Sequence, residues 1–301
     1  MNLSSCFIEL IRLFNTVVFK LEVNALIDIH THMLRPTDWG DEYKNNWNRG
    51  YGSDWPEPKP EIFDAAMKEA NIKSAVVFGI RATHAGVFTT TESVVDFCKL
   101  LETPTTVFMA LDLNDTDLMD QLEEGIELGA KGIKLYPVMA AFDPADEKFN
   151  PLYEVAETKK LPILWHMGAT LSTPGDLGFT NPLILDKVAR RFPSLIQIIA
   201  HMGHPWQRDA VQVVRKNRNV FCDISGFWTR PMDGYLALLN AQEWGVIDKL
   251  LFGSDFPLWT PKETIEGLYK LTEIGSKGFP RVEKATIEQI LKNDSVHLLG
   301  L

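Results

Sequence analysis

The sequence predicts an α/β fold, a single-domain (β/α)8 TIM barrel that covers residues 25–301. Eight short runs rich in Val, Ile and Leu alternate with longer amphipathic segments, as repeated strand and helix units do. The runs are almost continuously apolar, which fits parallel strands buried on both faces better than an alternating antiparallel sheet. A chain of 301 residues is long enough to build one barrel of this kind.

The predicted strands are short, and segments with helical spacing lie between them. Segments 114–129 and 150–160 both begin at Asn and end at Gly or Lys, as crossover helices do. Segment 283–300 predicts a final helix that packs against the barrel. The eight predicted strands are 25–30, 73–79, 105–111, 131–136, 161–166, 195–201, 219–224 and 249–253.

A long connection, over about residues 33–59, follows the first predicted strand. Loops of this length in compact domains are usually functional. In a barrel this loop would lie over the mouth as a lid or pocket wall, and the alternative is an aromatic surface or subunit contact. Its aromatic residues are Trp39, Tyr43, Trp47, Tyr51 and Trp55.

The charge and cysteine content exclude several classes of partner. A formal net charge of -10 repels nucleic-acid phosphates and anionic membranes, so neither is an expected partner. The 3 cysteines are scattered and form no CxxC pair, which favours reduced thiols in a cytoplasmic protein. We therefore expect a cytoplasmic enzyme that acts on a small molecule.

Residues 1–24 form an apolar extension before the barrel. Charged residues, Glu9, Arg12 and Lys20, interrupt this segment, and no basic residue precedes its apolar part. Both features argue against a signal peptide and a membrane span. An amphipathic helix that packs on the barrel or on a neighbouring subunit is the preferred interpretation.

His30 and His32 close the first predicted strand. Residues two apart on a strand face the same side, so both imidazoles and Asp28 are expected to face the barrel interior. A single histidine in an apolar strand is usually a hydrogen-bonded core residue. Two on one face at a strand's carboxyl end form a chelate, and they favour a metal site.

Three more residues lie where barrel enzymes keep their catalytic groups. His166 ends the fifth predicted strand, His201 ends the sixth, and Asp255 follows the eighth. Each alone has a structural explanation, such as a helix cap or a braced turn. Together with the histidine pair they predict a divalent metal centre, with zinc favoured over manganese or iron for imidazole and carboxylate ligands.

These motifs resemble the amidohydrolase superfamily, and within it the amidohydrolase-related family that includes aminocarboxymuconate-semialdehyde decarboxylase. The resemblance covers about residues 25–300, including IDIHTH and FGSDFP. It implies that His30, His32, His166 and Asp255 hold one metal ion and that His201 is the catalytic histidine. Asp255 would also act as the base.

Lys134, in GIKLYP at the end of the fourth predicted strand, introduces an alternative ligand set. It resembles the lysine that becomes carboxylated and bridges two metals in dihydroorotase-like members, in which case His166 and His201 would bind a second ion. A lysine that pairs with Asp or binds a substrate carboxylate is the other interpretation. We favour one ion per subunit, because the remaining motifs resemble the one-metal branch.

Three further residues are predicted to bind the substrate. Arg81 follows the second predicted strand, and Trp228 and Arg230 follow the seventh in DISGFWTRP. The arginines would hold an anionic group and the indole would contact a flat or aromatic substrate. Surface salt bridges and packing between barrel and helices are the alternatives.

The predicted function is metal-dependent hydrolysis of an amide, lactone or ester by a metal-activated water. The alternative is non-oxidative decarboxylation of an aromatic or unsaturated carboxylic acid, which the resemblance also implies. The lysine in GIKLYP favours the hydrolase. The resemblance further implies a homodimer or higher homo-oligomer, and a scaffold protein without activity is disfavoured by the complete ligand set.

Overall fold

The computed structural model describes residues 26–275 and 277–301. The helix predicted for residues 1–24 lies outside the described residues. Eight barrel strands are present, each one at or near a predicted position. They are β1 Ile27–His32, β2 Ser74–Phe78, β3 Thr105–Leu111, β4 Gly132–Leu135, β5 Ile163–Trp165, β6 Gln197–Ile199, β7 Val220–Asp223 and β8 Leu250–Leu251.

The strands form one parallel sheet in chain order from β1 to β8. Backbone contacts join its two edges. The Ile29 amide donates to the Phe252 carbonyl at 3.0 Å, and Thr31 forms an isolated parallel β-bridge with Phe256. The predicted single-domain (β/α)8 barrel is confirmed. Parallel strands closed this way bring their carboxyl ends to one mouth.

Helices alternate with the strands on the outside of the barrel. The long connection after β1 differs from a plain loop, because it contains the helix α1. Among the described residues the helices are α1 Asp41–Tyr51, α2 Pro60–Glu69, α3 Thr91–Cys98, α4 Leu118–Glu127, α5 Pro137–Ala140, α6 Asn150–Thr158, α7 Leu183–Arg191, α8 Gln207–Lys216, α9 Pro231–Glu243, α10 Pro261–Leu271, α11 Lys284–Lys292 and α12 Ser295–Leu299. Two short helices therefore replace the single helix predicted over 283–300. None of those described is both long and apolar enough to span a membrane.

The buried apolar residues form two clusters, one between strands and helices and one inside the barrel. The inner cluster takes residues from seven strands, such as Phe78 of β2 and Phe108 of β3, and Leu299 of α12 packs against it. Strand β4 contributes Lys134 instead, with a fully buried side chain. A lysine in this position is unusual, because a buried ammonium loses its hydration.

A β-bulge in β1 sets the direction of the two histidines. Asp28 pairs with Ala75 and Thr31 pairs with Val77, so β1 has one extra residue between these pairs. Ile29 packs in the inner cluster, and the extra residue allows His30 to face inward as well. The expectation that Asp28 shares their face is therefore wrong, since strict alternation fails at the bulge.

Candidate metal centre

His30 lies at the centre of the site, with its two ring nitrogens in different environments. Its Nδ1 is 2.8 Å from Asp223 Oδ2, so Nδ1 carries the proton and donates it to the carboxylate. Its Nε2 therefore has a bare lone pair, and this atom is buried without a hydrogen-bond partner in the described part of the chain. Burial lowers the pKa of His30 to about 3, which keeps the ring neutral.

Asp255 faces both histidines of β1. Its Oδ1 is 3.0 Å from His32 Nε2 and 3.4 Å from His30 Nε2. Burial alone would raise the pKa of Asp255, but the His32 hydrogen bond and the neighbouring histidines hold it below its usual range. A carboxylate oxygen opposite the bare lone pair of His30 is unfavourable unless a cation lies between them.

The three side chains thus have the chemistry of a metal chelate. One ligand atom from each of His30, His32 and Asp255 lies within 4.8 Å of the others, and all three residues are buried. Neutral imidazole and carboxylate are the forms that bind zinc and related divalent ions. The backbone of Asp255 is held at φ 70°, a left-handed conformation that often marks functional sites.

Asp223, at the end of β7, connects two of the histidines. Its Oδ2 accepts a hydrogen bond from His30 Nδ1. Its Oδ1 accepts hydrogen bonds from the backbone amides of His201 at 2.9 Å and Ser225 at 3.0 Å. Burial opposes its charge, but His30 and these contacts hold the pKa of Asp223 below its usual range. A carboxylate on the far nitrogen orients a ligand histidine and increases its basicity.

His201 follows β6 in a left-handed conformation with φ 55°. Its Nδ1 is 2.8 Å from Ser225 Oγ and 3.2 Å from the Ser225 carbonyl oxygen. Because a carbonyl only accepts hydrogen bonds, Nδ1 carries a proton, and in the neutral ring the lone pair is therefore on Nε2. The ring centroid is 4.8 Å from that of His30, so this lone pair lies beside the chelate.

His166 lies on the far side of His201, with 5.2 Å between the two ring centroids. Its ring stacks on Tyr136, and burial and the neighbouring His201 lower its pKa well below the usual range. The structure brings His166 to the same mouth. It does not bring His166 into either described group of metal-compatible atoms, which are His30, His32 and Asp255, and His30, His201 and Asp223.

Lys134 lies inside the barrel, with its Nζ 4.9 Å from the ring centroids of both Phe78 and Tyr136. The amine has no hydrogen-bond partner among residues 26–275 and 277–301. Burial lowers its pKa to about 7, although Asp223 and Asp255 act in the opposite direction. Sequence reasoning located this residue but did not predict an unpaired amine.

A cavity of about 170 Å³ lies over the centre, and His32, His166, His201 and Asp255 all line it. The connection after β1 forms one wall, in agreement with its expected place over the mouth. Arg230 and His204 also line the cavity. The cavity's aromatic lining includes Tyr43, Trp47, Tyr51, Trp55, Tyr136 and Trp259.

The three residues predicted to bind the substrate lie in different positions. Arg230 lines the cavity, whereas Trp228 packs against Gly267 of α10 and Arg81 donates to Asp115 at 2.7 Å. The structure therefore does not bring Arg81 or Trp228 to the cavity. Arg81 instead forms a salt bridge, and Trp228 packs between the barrel and its helices, as the alternative interpretations expect.

Sequence reasoning missed Ser225, which lies between two histidines. Its Oγ is 2.5 Å from Asp223 Oδ1 and also contacts both Nδ1 atoms of His30 and His201. Its position two residues after Asp223 in DIS was the available signal, because alternate residues at a strand end share a face. Asn46 and Ser172, which line the cavity, were also missed.

The family model described as Amidohydrolase matches residues 27–301. The chain belongs to the amidohydrolase family. No sequence among curated proteins matches this amidohydrolase. The family match covers the barrel and all the strand-end residues described above.

Solved structures share the barrel of this amidohydrolase at low sequence identity. A probable 2-pyrone-4,6-dicarboxylic acid hydrolase from Acinetobacter baumannii is 16% identical, with a TM-score of 0.65, over 92% of this chain and 100% of that one. A zinc-bound amidohydrolase from Burkholderia multivorans is 15% identical, with a TM-score of 0.65, over the same shares, 92% and 100%. The 2,6-dihydroxybenzoate decarboxylase from Rhizobium is 15% identical, with a TM-score of 0.61, over 92% and 99%. At identities this low, the structural similarity establishes the shared fold and nothing more.

Proposed function

We propose that this amidohydrolase is a metal-dependent hydrolase of an amide, lactone or ester bond in a small molecule. The observation that carries the proposal is the contact between His30 Nε2 and Asp255 Oδ1, at 3.4 Å. Two hydrogen-bond acceptors face each other there in a buried site, and a divalent cation satisfies both. Zinc suits this donor set best, and the related Burkholderia protein contains bound zinc.

His30, His32 and Asp255 would hold the ion, with His166 proposed as a further ligand. A bound divalent ion supplies Lewis acidity and brings the pKa of water towards about 7. Asp223 keeps the proton of His30 on Nδ1, so Nε2 stays available as a ligand atom. We favour one ion, with Lys134 unmodified.

Two residues would move protons during hydrolysis. Asp255 directs Oδ1 towards the histidines, and its Oδ2 lies beside Gly226 in the cavity wall, where it can accept a proton from the attacking water. His201 keeps its proton on Nδ1 through Ser225, so its Nε2 can accept a proton or donate it to the leaving group. Both groups act within reach of the same cavity.

Decarboxylation of an aromatic or unsaturated acid is the second proposal. The observation that favours it is the aromatic lining of the cavity, which suits a flat ring. A relative of the same fold is a 2,6-dihydroxybenzoate decarboxylase. In this reaction His201 would supply the proton that replaces the carboxylate on carbon.

The experiment is a parallel assay of both reactions with zinc-loaded protein. Candidate lactones and esters, including 2-pyrone-4,6-dicarboxylate, are followed for ring opening, and 2,6-dihydroxybenzoate is followed for release of carbon dioxide. We expect turnover in the first set that is lost in Asp255→Asn. Release of carbon dioxide without any hydrolysis would replace the first proposal with the second.

A further inference from the structure

Apart from His32, which is a proposed metal ligand, four side chains that line the cavity each carry a buried polar atom without a hydrogen-bond partner among the described residues. All four atoms can donate a hydrogen bond, and none of them finds an acceptor within the described ranges. They are Asn46 Nδ2, Trp47 Nε1, Trp55 Nε1 and Ser172 Oγ. An unpaired buried donor costs about 1–3 kcal/mol, so four in one wall are a strong sign of a missing acceptor.

Asn46 and Ser172 lie where α1 packs against loop 168–173. Thr173 Oγ1 donates to Asn46 Oδ1 at 3.1 Å, which fixes the amide so that Nδ2 stays unpaired. Leu171 packs so closely on Gly50 that a side-chain carbon there would lie 1.9 Å from its Cδ1. The two segments therefore meet tightly and exclude water from the donors. An acceptor that enters the cavity removes the cost of the unpaired donors.

The charges around the cavity select the kind of acceptor. Asp255 is the sole carboxylate among the described lining residues, and it belongs to the metal chelate. Arg230 lies at the mouth and forms no ion pair with a carboxylate in residues 26–275 and 277–301. Its guanidinium faces Tyr51, one turn after Trp47 on α1. A wall of donors beside an unpaired cation favours an anion over a neutral carbonyl.

The volume limits the size of the ligand. A single water needs roughly 10–15 Å³ of cavity space, so the cavity admits on the order of ten water-sized atoms. A six-membered ring with one or two carboxylates has this size. The stacked rings of Trp47 and Tyr51, with centroids 4.1 Å apart, offer such a ring a flat apolar surface.

We propose that Asn46 and Ser172 form a carboxylate-binding subsite, so that the substrate is a small cyclic acid with a carboxylate remote from the reacting bond. The inference rests on the proposed function only in taking the ligand to be the substrate. Asn46 Nδ2 and Ser172 Oγ donate to the carboxylate oxygens, the two indoles flank them, and Arg230 attracts the charge. The reacting end of the substrate then lies at the chelate.

The test measures binding of unreactive probes to the zinc-loaded full chain by isothermal titration calorimetry. Benzoate carries one carboxylate, which the metal end can take. Isophthalate and terephthalate carry a second at two different spacings. We expect at least one dicarboxylate to bind about 10-fold or more tightly than benzoate, as two hydrogen bonds to a charged acceptor allow. Equal affinities for all three probes would overturn the proposal.

Variants test whether the tighter binding of the dicarboxylate depends on the donors of Asn46 and Ser172. Asn46→Leu combined with Ser172→Ala should remove the advantage of the dicarboxylate and leave benzoate affinity nearly unchanged. Asn45→Leu and Ser53→Ala, at exposed positions in the same connection after β1, should keep the advantage. Asn46→Asp keeps the shape of the side chain but replaces its donor with a negative charge, which repels a carboxylate. The dicarboxylate should then bind more weakly than benzoate, with zinc content unchanged.

A dicarboxylate advantage that survives both Asn46→Asp and the double variant would reject the subsite. The probes contain no hydrolysable bond, so a failure of the proposed hydrolysis leaves this result intact. A loss of the subsite likewise leaves the hydrolysis assay unaffected as a test of the reaction. The two proposals therefore fail separately.

Discussion

Lys134→Met tests whether the buried amine of Lys134 lowers the stability of the folded protein. Methionine has a similar length and no charge, and it fits among the apolar residues around Phe78. Burial lowers the pKa of Lys134 from 10.5 to about 7, so folding has to disfavour its charged form. We expect the variant to be more stable than the natural chain and to lose activity if the amine serves catalysis.

The size of the gain follows from the two pKa values. One pKa unit corresponds to about 1.4 kcal/mol, so the fold loses roughly 4–5 kcal/mol to this lysine below pH 7. Between about pH 7 and 10.5 the unfolded chain binds more protons than the folded one, so stability rises with pH in that window. The advantage of methionine should therefore be largest at pH 6 and small near pH 10.

Urea unfolding of chelator-treated protein at pH 6, 8 and 10 measures this difference. Lys131→Met is the matched control, because Lys131 is exposed on the same segment and its replacement should change stability by no more than about 0.5 kcal/mol. A destabilised Lys134→Met, or a stabilisation independent of pH, would refute the reasoning. Either result would mean that the amine has a partner in the folded protein.

The other predictions concern the metal centre. Asp223→Asn should weaken zinc binding about 10–100-fold, because the amide no longer holds His30 in the required tautomer; unchanged affinity in a chelator competition would contradict this. His30→Ala with His32→Ala should leave no zinc in elemental analysis. Asp255→Asn should lower kcat about 10²–10⁴-fold with an unchanged circular dichroism spectrum, and near-normal turnover would exclude it as base. His201→Ala should lose activity but keep its zinc, whereas the two-ion alternative expects metal content to fall.

Much of the barrel could be predicted because continuous apolar runs mark strands buried on both faces. The strand ends were predicted too long, as for 195–201 against Gln197–Ile199, because the chain leaves the sheet where it presents the side chains of the candidate site. His201 shows this directly, since its left-handed backbone cannot continue a strand. The bulge beside Asp28 has no signature in an apolar run, so the strict alternation expected there fails.

The candidate site was predictable where a residue type and a strand end coincide. His30, His32 and Asp255 meet as expected, since barrel topology alone brings strand ends together. Partners set by tertiary contacts were not predictable: Arg81 pairs with Asp115, and no pattern marks Asn46 as a buried donor without an acceptor. Contacts between α1 and loop 168–173 decide which polar groups lose water, and these depend on the folded loops.

The most direct test of the account is the number and position of metal ions in crystals of zinc-loaded protein, located by anomalous scattering at the zinc edge. We expect one ion per chain, bound by His30, His32 and Asp255, with Lys134 unmodified. A second ion beside Lys134, His166 and His201 would contradict the one-ion centre. An ion bound elsewhere, with these three side chains free, would contradict the account of the site itself.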